Sequence, residues 1–158
     1  FFDYRVNPFN LAEAVTDPES VRENLLLEGE EMEEAWRATE KALAELEKGI
    51  ARRLARMVLV VIPAAAQVGK QYWWVERLGF RLDERLLTET PVQDRIARFD
   101  VARGVPYVDP LPALRARPDS MLYFEQDGHW TPAAHEIAAR AIAERIAGEI
   151  AAGVGTAR

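Results

Sequence analysis

Met57-Val58-Leu59-Val60-Val61-Ile62 is an unbroken apolar run, mostly β-branched, closed by Pro63. Its length suits a strand, and a run without polar alternation fits a strand covered on both faces, as in a parallel sheet. Upstream, Glu30 to Arg56 reads as a helix. Met32, Trp36, Leu43, Leu46 and Ile50 recur at helical spacing, Ala35, Thr39 and Ala42 fill the same stripe, and Glu33, Glu34, Glu40, Lys41, Glu45 and Lys48 lie opposite. Gly49 is a place for this helix to bend or for its first part to end. Downstream, Thr90 as cap and Pro91 at the first position start a helix with Val92, Ile96 and Phe99 on one face, and Gly104 closes it. Val105 to Val108 makes a second short strand, with Pro106 at its start or on an edge. A last helix runs from Pro132 to Ala151 behind the N-cap Thr131, with Ala134, Ile137, Ala138, Ala141, Ile142, Ile146 and Ile150 as its apolar stripe. Helix, buried strand, helix, strand, helix is the order of a right-handed βαβ unit in an α/β layer fold.

Two strands cannot by themselves cover both faces of Met57 to Ile62. Either Phe1 to Val6 and a piece of Phe80 to Thr90 add strands, or strands of a longer parent lie outside this chain. The second is favoured, and a chain that begins Phe1-Phe2-Asp3 without Met agrees with it. Residues 1–29 are a segment of uncertain structure with a helix start at Thr16-Asp17-Pro18, 30–152 form the α/β domain, and 153–158 are a frayed tail.

Composition narrows the function classes. At 158 residues, 49% hydrophobic and 29% charged, the chain is one globular domain. A formal charge of −6 and a pI near 5.1 argue against nucleic acid as a partner, because phosphate binding needs a basic footprint. No apolar run approaches the ~20 residues of a membrane-spanning helix. The absence of cysteine excludes disulfides, thiol catalysis and cysteine-ligated zinc. No cofactor is expected, and two histidines without His-x-x-x-His spacing make a metal site the weaker reading.

Both histidines sit in Asp127-Gly128-His129-Trp130-Thr131-Pro132-Ala133-Ala134-His135. In extended backbone, residues two apart point to the same side, so Asp127 can accept a hydrogen bond from His129 Nδ1–H. That bond fixes the tautomer, leaves Nε2 as a base and stabilises the imidazolium. Gly128 keeps the approach open. These are two of the three parts of a nucleophile, base and orienter. A bland reading stands beside this one: an Asp-x-His before a helix is also how a turn presents a hydrogen-bonded surface histidine.

Leu122-Tyr123-Phe124-Glu125-Gln126-Asp127-Gly128-His129-Trp130-Thr131, with Ala134-His135 and an alanine-rich helix after it, resembles the last conserved block of the SGNH (GDSL-type) hydrolase superfamily. Val58 to Pro63 followed by Gln67-Val68 looks like its late core strand and loop, and Val105 to Asp109 like its final strand. Trp36 and Thr39 fit the preceding helix. The resemblance covers roughly Glu30 to Ile150. It implies a flavodoxin-like three-layer α/β/α fold with a parallel sheet. It also implies a Ser-His-Asp triad for ester hydrolysis or acyl transfer, with Asp127 as the orienting acid and His129 as the general base. Asp-x-His-Trp, in place of the commoner Asp-x-x-His, is similar to the alginate O-acetyltransferase-like branch. That branch points to acylated small molecules or O-acetylated polysaccharide as substrate and to an extracytoplasmic place.

The superfamily's Gly-Asp-Ser nucleophile motif is not in this sequence, and the resemblance puts it before Phe1. The two serines read otherwise, Ser20 as a first-turn helix residue and Ser120 as a loop residue. The chain is therefore expected to supply Asp127 and His129 but not the serine, and to be inactive alone. The competing reading is a non-catalytic module that binds a glycan or a protein. Trp130 beside the base, Trp73 in a tandem with Trp74, and Gln67 after the strand are candidate substrate contacts, each with core packing as its plainer role. His135 reads as structural, and Asp109 as a turn residue first. An uncovered sheet edge beside Met57 to Ile62, together with the acidic helix, raises self-association as a further expectation.

Overall fold

The computed structural model describes residues 8–125 and 128–155. Helices dominate it. In chain order they are α1 (Pro8–Thr16), α2 (Ser20–Leu26), α3 (Glu30–Ala51), α4 (Ala65–Val68), α5 (Pro91–Arg103), α6 (Leu111–Arg115) and α7 (Pro132–Gly155). Strands β1 (Leu59–Val60) and β2 (Tyr107–Val108) lie between them. Short 3₁₀ turns at Lys70–Tyr72, Trp74–Leu78 and Glu84–Leu87 join α4 to α5.

The strands pair parallel, Leu59 opposite Tyr107 and Val60 opposite Val108. Leu59 N–H donates to Pro106 O at 2.9 Å and Val61 N–H to Val108 O at 3.0 Å. Parallel pairing requires a crossover, and α5 lies within it, so the expected βαβ order is present. The strand is shorter than the apolar run. Met57 is buried, Val58 to Val61 are half-buried and Ile62 is 62% exposed. Full burial needs neighbours on both edges and layers on both faces. Among the described residues only β2 lies beside β1, so the expectation of a strand buried on both faces over Met57 to Ile62 is corrected. The piece of Phe80 to Thr90 adds no strand either. Asp83 takes the Arg85 N–H on its carboxylate at 2.9 Å and starts a 3₁₀ turn there. Phe1 to Val6 lie outside the described residues. The fold is α/β, and among the described residues its sheet has two strands.

Helix ends follow local chemistry. α5 begins at Pro91 behind Thr90 and stops at Gly104, whose φ of 65° closes it. α7 begins at Pro132 behind Thr131. α3 runs through Gly49 and ends at Ala51, short of Arg56. Arg53 N–H turns back to Ile50 O at 2.9 Å, and Leu54 takes a φ of 56°.

Three clusters make the core. Met57, Phe99 and Val105 gather Leu43, Ala44, Ile50 and Leu59, which seats α3 on α5 at the start of the sheet. Leu26, Ala66 and Leu86 gather Leu25, Trp73 and Leu82. The third cluster holds Val68, Tyr72, Leu111, Leu114, Leu122, Tyr123 and Ala134, and it carries the segment that contains His129.

Candidate functional site

Residues 122–124 and 128–131 pair as the arms of a short antiparallel hairpin. Tyr123 pairs with Trp130. Thr131 N–H donates to Leu122 O and Phe124 N–H to His129 O, each at 2.9 Å. Gly128 N–H also donates to Phe124 O at 2.9 Å, so Gly128 and His129 together oppose the single residue Phe124. Two residues facing one, the first a glycine at φ 69°, is a glycine-first β-bulge. Such a bulge bends the strand and re-aims the side chain after it, which here is His129. A Cβ at Gly128 would meet nothing within 4 Å. Only backbone strain therefore opposes another residue there. Gln126 and Asp127 lie outside the described residues, and with them the expected contact of Asp127 with His129.

The base of the hairpin is tied down firmly. Leu122 is fully buried, and Tyr123 and Thr131 are nearly so. Tyr123 Oη donates to Pro63 O at 2.8 Å. Pro63 follows β1, so the bond fastens the hairpin beyond the carboxyl end of that strand, the side on which open α/β sheets place their ligands. Burial pushes the Tyr123 phenol up to about 12. Tyr72 Oη donates to Ser120 O at 2.8 Å and accepts from Leu122 N–H at 3.1 Å. The two phenol rings meet at 5.2 Å and 63°. Thr131 Oγ1 closes the base by donating to Met121 O at 2.6 Å.

His129 is exposed at the mouth of this anchored hairpin. Trp130 points the other way, half-buried against the core, with the exposed His135 ring edge-on to it at 5.5 Å and 83°. Gln67 is buried. Its Oε1 accepts from Ala64 N–H at 3.1 Å and its Nε2 donates to Gln93 Oε1 at 3.3 Å, so the amide braces the loop after β1. Trp73 packs in the neighbouring cluster, donates its indole N–H to Ala66 O at 2.9 Å, and has Lys70 Nζ over its ring at 5.5 Å. The hairpin thus exposes His129 and turns Trp130 away from it into the core, while Gln67 and Trp73 are engaged elsewhere.

Asp109 accepts from Leu111 N–H at 2.9 Å and starts α6, and burial raises its carboxyl above the usual range. Ser20 is buried and donates to Glu13 at 2.8 Å. Ser120 is fixed through its backbone, its N–H on Arg117 O at 3.2 Å. Among the described residues no three His, Asp or Glu side chains gather as metal ligands, and no helix is long and apolar enough to cross a membrane. A separate cavity of ≈ 530 Å³ lies near the start of α3, with Asp17, Glu23, Glu28, Glu30 and Glu31 in its wall. Sequence reasoning passed over Tyr72, Tyr123 and Phe124. The available signal was Asp127-Gly128 between Tyr123-Phe124 and Trp130, a hairpin turn flanked by aromatics.

No curated protein and no solved structure matched the chain. A family model did, over residues 22–157: the SGNH hydrolase-like domain of acetyltransferase AlgX. That span takes in α3, both strands and the whole hairpin, and so the chain belongs to the family of SGNH hydrolase-like domains typified by the acetyltransferase AlgX.

Proposed function

We propose that the hairpin is the acid–base arm of an acyl-transfer site acting on O-acetyl esters, with polysaccharide as the substrate class. The observation that carries this reading is the presentation of His129: exposed, re-aimed by the Gly128 bulge, and held by buried anchors in a chain of this family. Asp127 orients the imidazole, and His129 Nε2 is the base. A serine from outside these 158 residues attacks the acyl carbonyl while His129 takes its proton. The proton then passes to the leaving alkoxide, and the acyl-enzyme forms. His129 next deprotonates water or a sugar hydroxyl, which attacks the acyl-enzyme, and the imidazolium returns that proton to the departing serine oxygen. The same reading places β1 and β2 within the parallel sheet of a three-layer α/β/α domain, with the open edge of β1 meeting a further strand.

In the polypeptide that carries the nucleophile, His129→Gln is expected to lower turnover of an acetyl ester by about 10³-fold or more with the fold intact. Near-normal turnover in that folded variant would end the assignment. A second reading for the chain alone is a non-catalytic module that binds a glycan or a protein, favoured by the burial of Ser20 with its hydroxyl bonded to Glu13. A fluorophosphonate probe is expected to leave the 158-residue chain unlabelled, and a stoichiometric adduct on Ser20 or Ser120 would overturn the exclusion of both.

A further inference from the structure

We propose that Phe124 is the surface on which the sugar ring bearing the reacting oxygen stacks, a specificity-determining role that rests on the acyl-transfer reading of His129. Leu122, Tyr123 and Phe124 are consecutive on one arm of the hairpin, yet the first two are 0% and 3% exposed and Phe124 is 47% exposed. The hairpin's base is held by the buried pair, and the third side chain, a phenyl ring, is left exposed over nearly half its surface. Its position is specific. Phe124 N–H is bonded to His129 O at 2.9 Å, so it is the cross-strand neighbour of the proposed base. Opposed residues in such a register hold their Cβ atoms about 5 Å apart. One sugar ring can then lie across the phenyl face while one of its oxygens meets the imidazole.

The other aromatic side chains near the site are committed. Trp73 has Lys70 over its ring and its indole N–H bonded, Trp130 turns inward against His135, and Tyr72 and Trp74 pack edge-on to each other at 5.6 Å. Among the described residues no ring or cation contact engages Phe124. A phenyl ring offers no hydrogen bond. What it recognises is an aliphatic C–H face, and a pyranose carries such a face where an acyclic ester does not.

The test is a titration of the 158-residue chain, isotope-labelled at phenylalanine and histidine, with an O-acetylated methyl pyranoside and, in parallel, with glycerol monoacetate. The pyranoside is expected to shift the Phe124 ring resonances, and glycerol monoacetate to leave them in place. Phe124→Leu is expected to weaken pyranoside binding about fivefold, and Phe124→Tyr to restore it. Silence of the Phe124 ring, an equal response to both esters, or wild-type affinity in Phe124→Leu would each overturn the proposal. The His129→Gln turnover measurement keeps the two readings apart. Full activity there with a responsive Phe124 ring removes the acyl-transfer reading and leaves sugar stacking standing. Lost activity with a silent ring removes the stacking alone.

Discussion

The 122–131 hairpin and helix α3 both meet solvent along much of their surface, yet they are attached in different ways. The hairpin sends Leu122, Tyr123 and Thr131 into the core and closes three hydrogen bonds through phenol and hydroxyl groups at its base. The 22 residues of α3 include none that is buried. Besides half-buried Leu43, Ala44 and Ile50, α3 is held by Arg95, which reaches Glu40 at 2.6 Å and Glu33 at 2.5 Å and lies 5.8 Å from the Trp36 ring centroid, and by Arg103 on Glu47. A group that must sit within tenths of an ångström of a reacting atom needs the first kind of attachment. The second kind suits a helix whose exact position matters less.

The comparison can be broken most directly at Tyr123. Tyr123→Ala empties a buried aromatic site and is expected to cost about 4 kcal/mol in denaturant unfolding. Tyr123→Phe keeps the ring but strands the Pro63 carbonyl, at a cost of about 1–2 kcal/mol. If both variants unfold like the wild type, the anchoring account fails. Gly128→Ala forces a Cβ into the left-handed region and is expected to cost about 1–2 kcal/mol, with open space leaving no steric clash to add. A neutral result there would deny the bulge. Arg95→Ala is expected to cost about 1–2 kcal/mol, because Glu33 is exposed and Glu40 half-buried although Arg95 itself is largely covered, and the deficit should shrink in 1 M salt. A larger, salt-independent loss would make α3 as firmly seated as the hairpin.

The smallest effect concerns pH. Burial raises the Asp109 carboxyl, so the folded state holds that proton more tightly than the unfolded state. Its contribution to stability is full below the unfolded value of about 3.9 and is lost as pH rises through the higher folded value. Asp109→Asn keeps an acceptor for Leu111 N–H and removes the titration. Its melting temperature should therefore gain on the wild type as pH rises from about 4. A constant gap across that range would mean that Asp109 is not penalised by burial.

Much of this architecture was readable from local chemistry. Both ends of α5 follow from Thr90-Pro91 and Gly104, the start of α7 from Thr131-Pro132, and the parallel pair from two short apolar runs separated by a helix. Where the reading overreached, a long-range condition was at work. The run Met57 to Ile62 has strand chemistry throughout, but pairing extends only as far as a partner does. The end of α3 at Ala51 depends on a tightened last turn that no residue type announces. In the candidate site, His129 stands out from its motif alone. Its anchor does not, because Tyr123 finds its acceptor at Pro63, 60 positions earlier in the chain, and periodicity does not encode such a meeting. Gln67 and Trp73 were chosen for their places after a strand and in a tandem. Burial and hydrogen bonding, which decide their roles, are properties of the folded chain.

The phenol that pins the hairpin gives up its proton only near pH 12. The joint therefore stays latched from acid through the mildly basic conditions in which esters are assayed. On the proposed acyl-transfer reading, a fall in rate on the alkaline side below about pH 12 would not come from ionisation of this phenol.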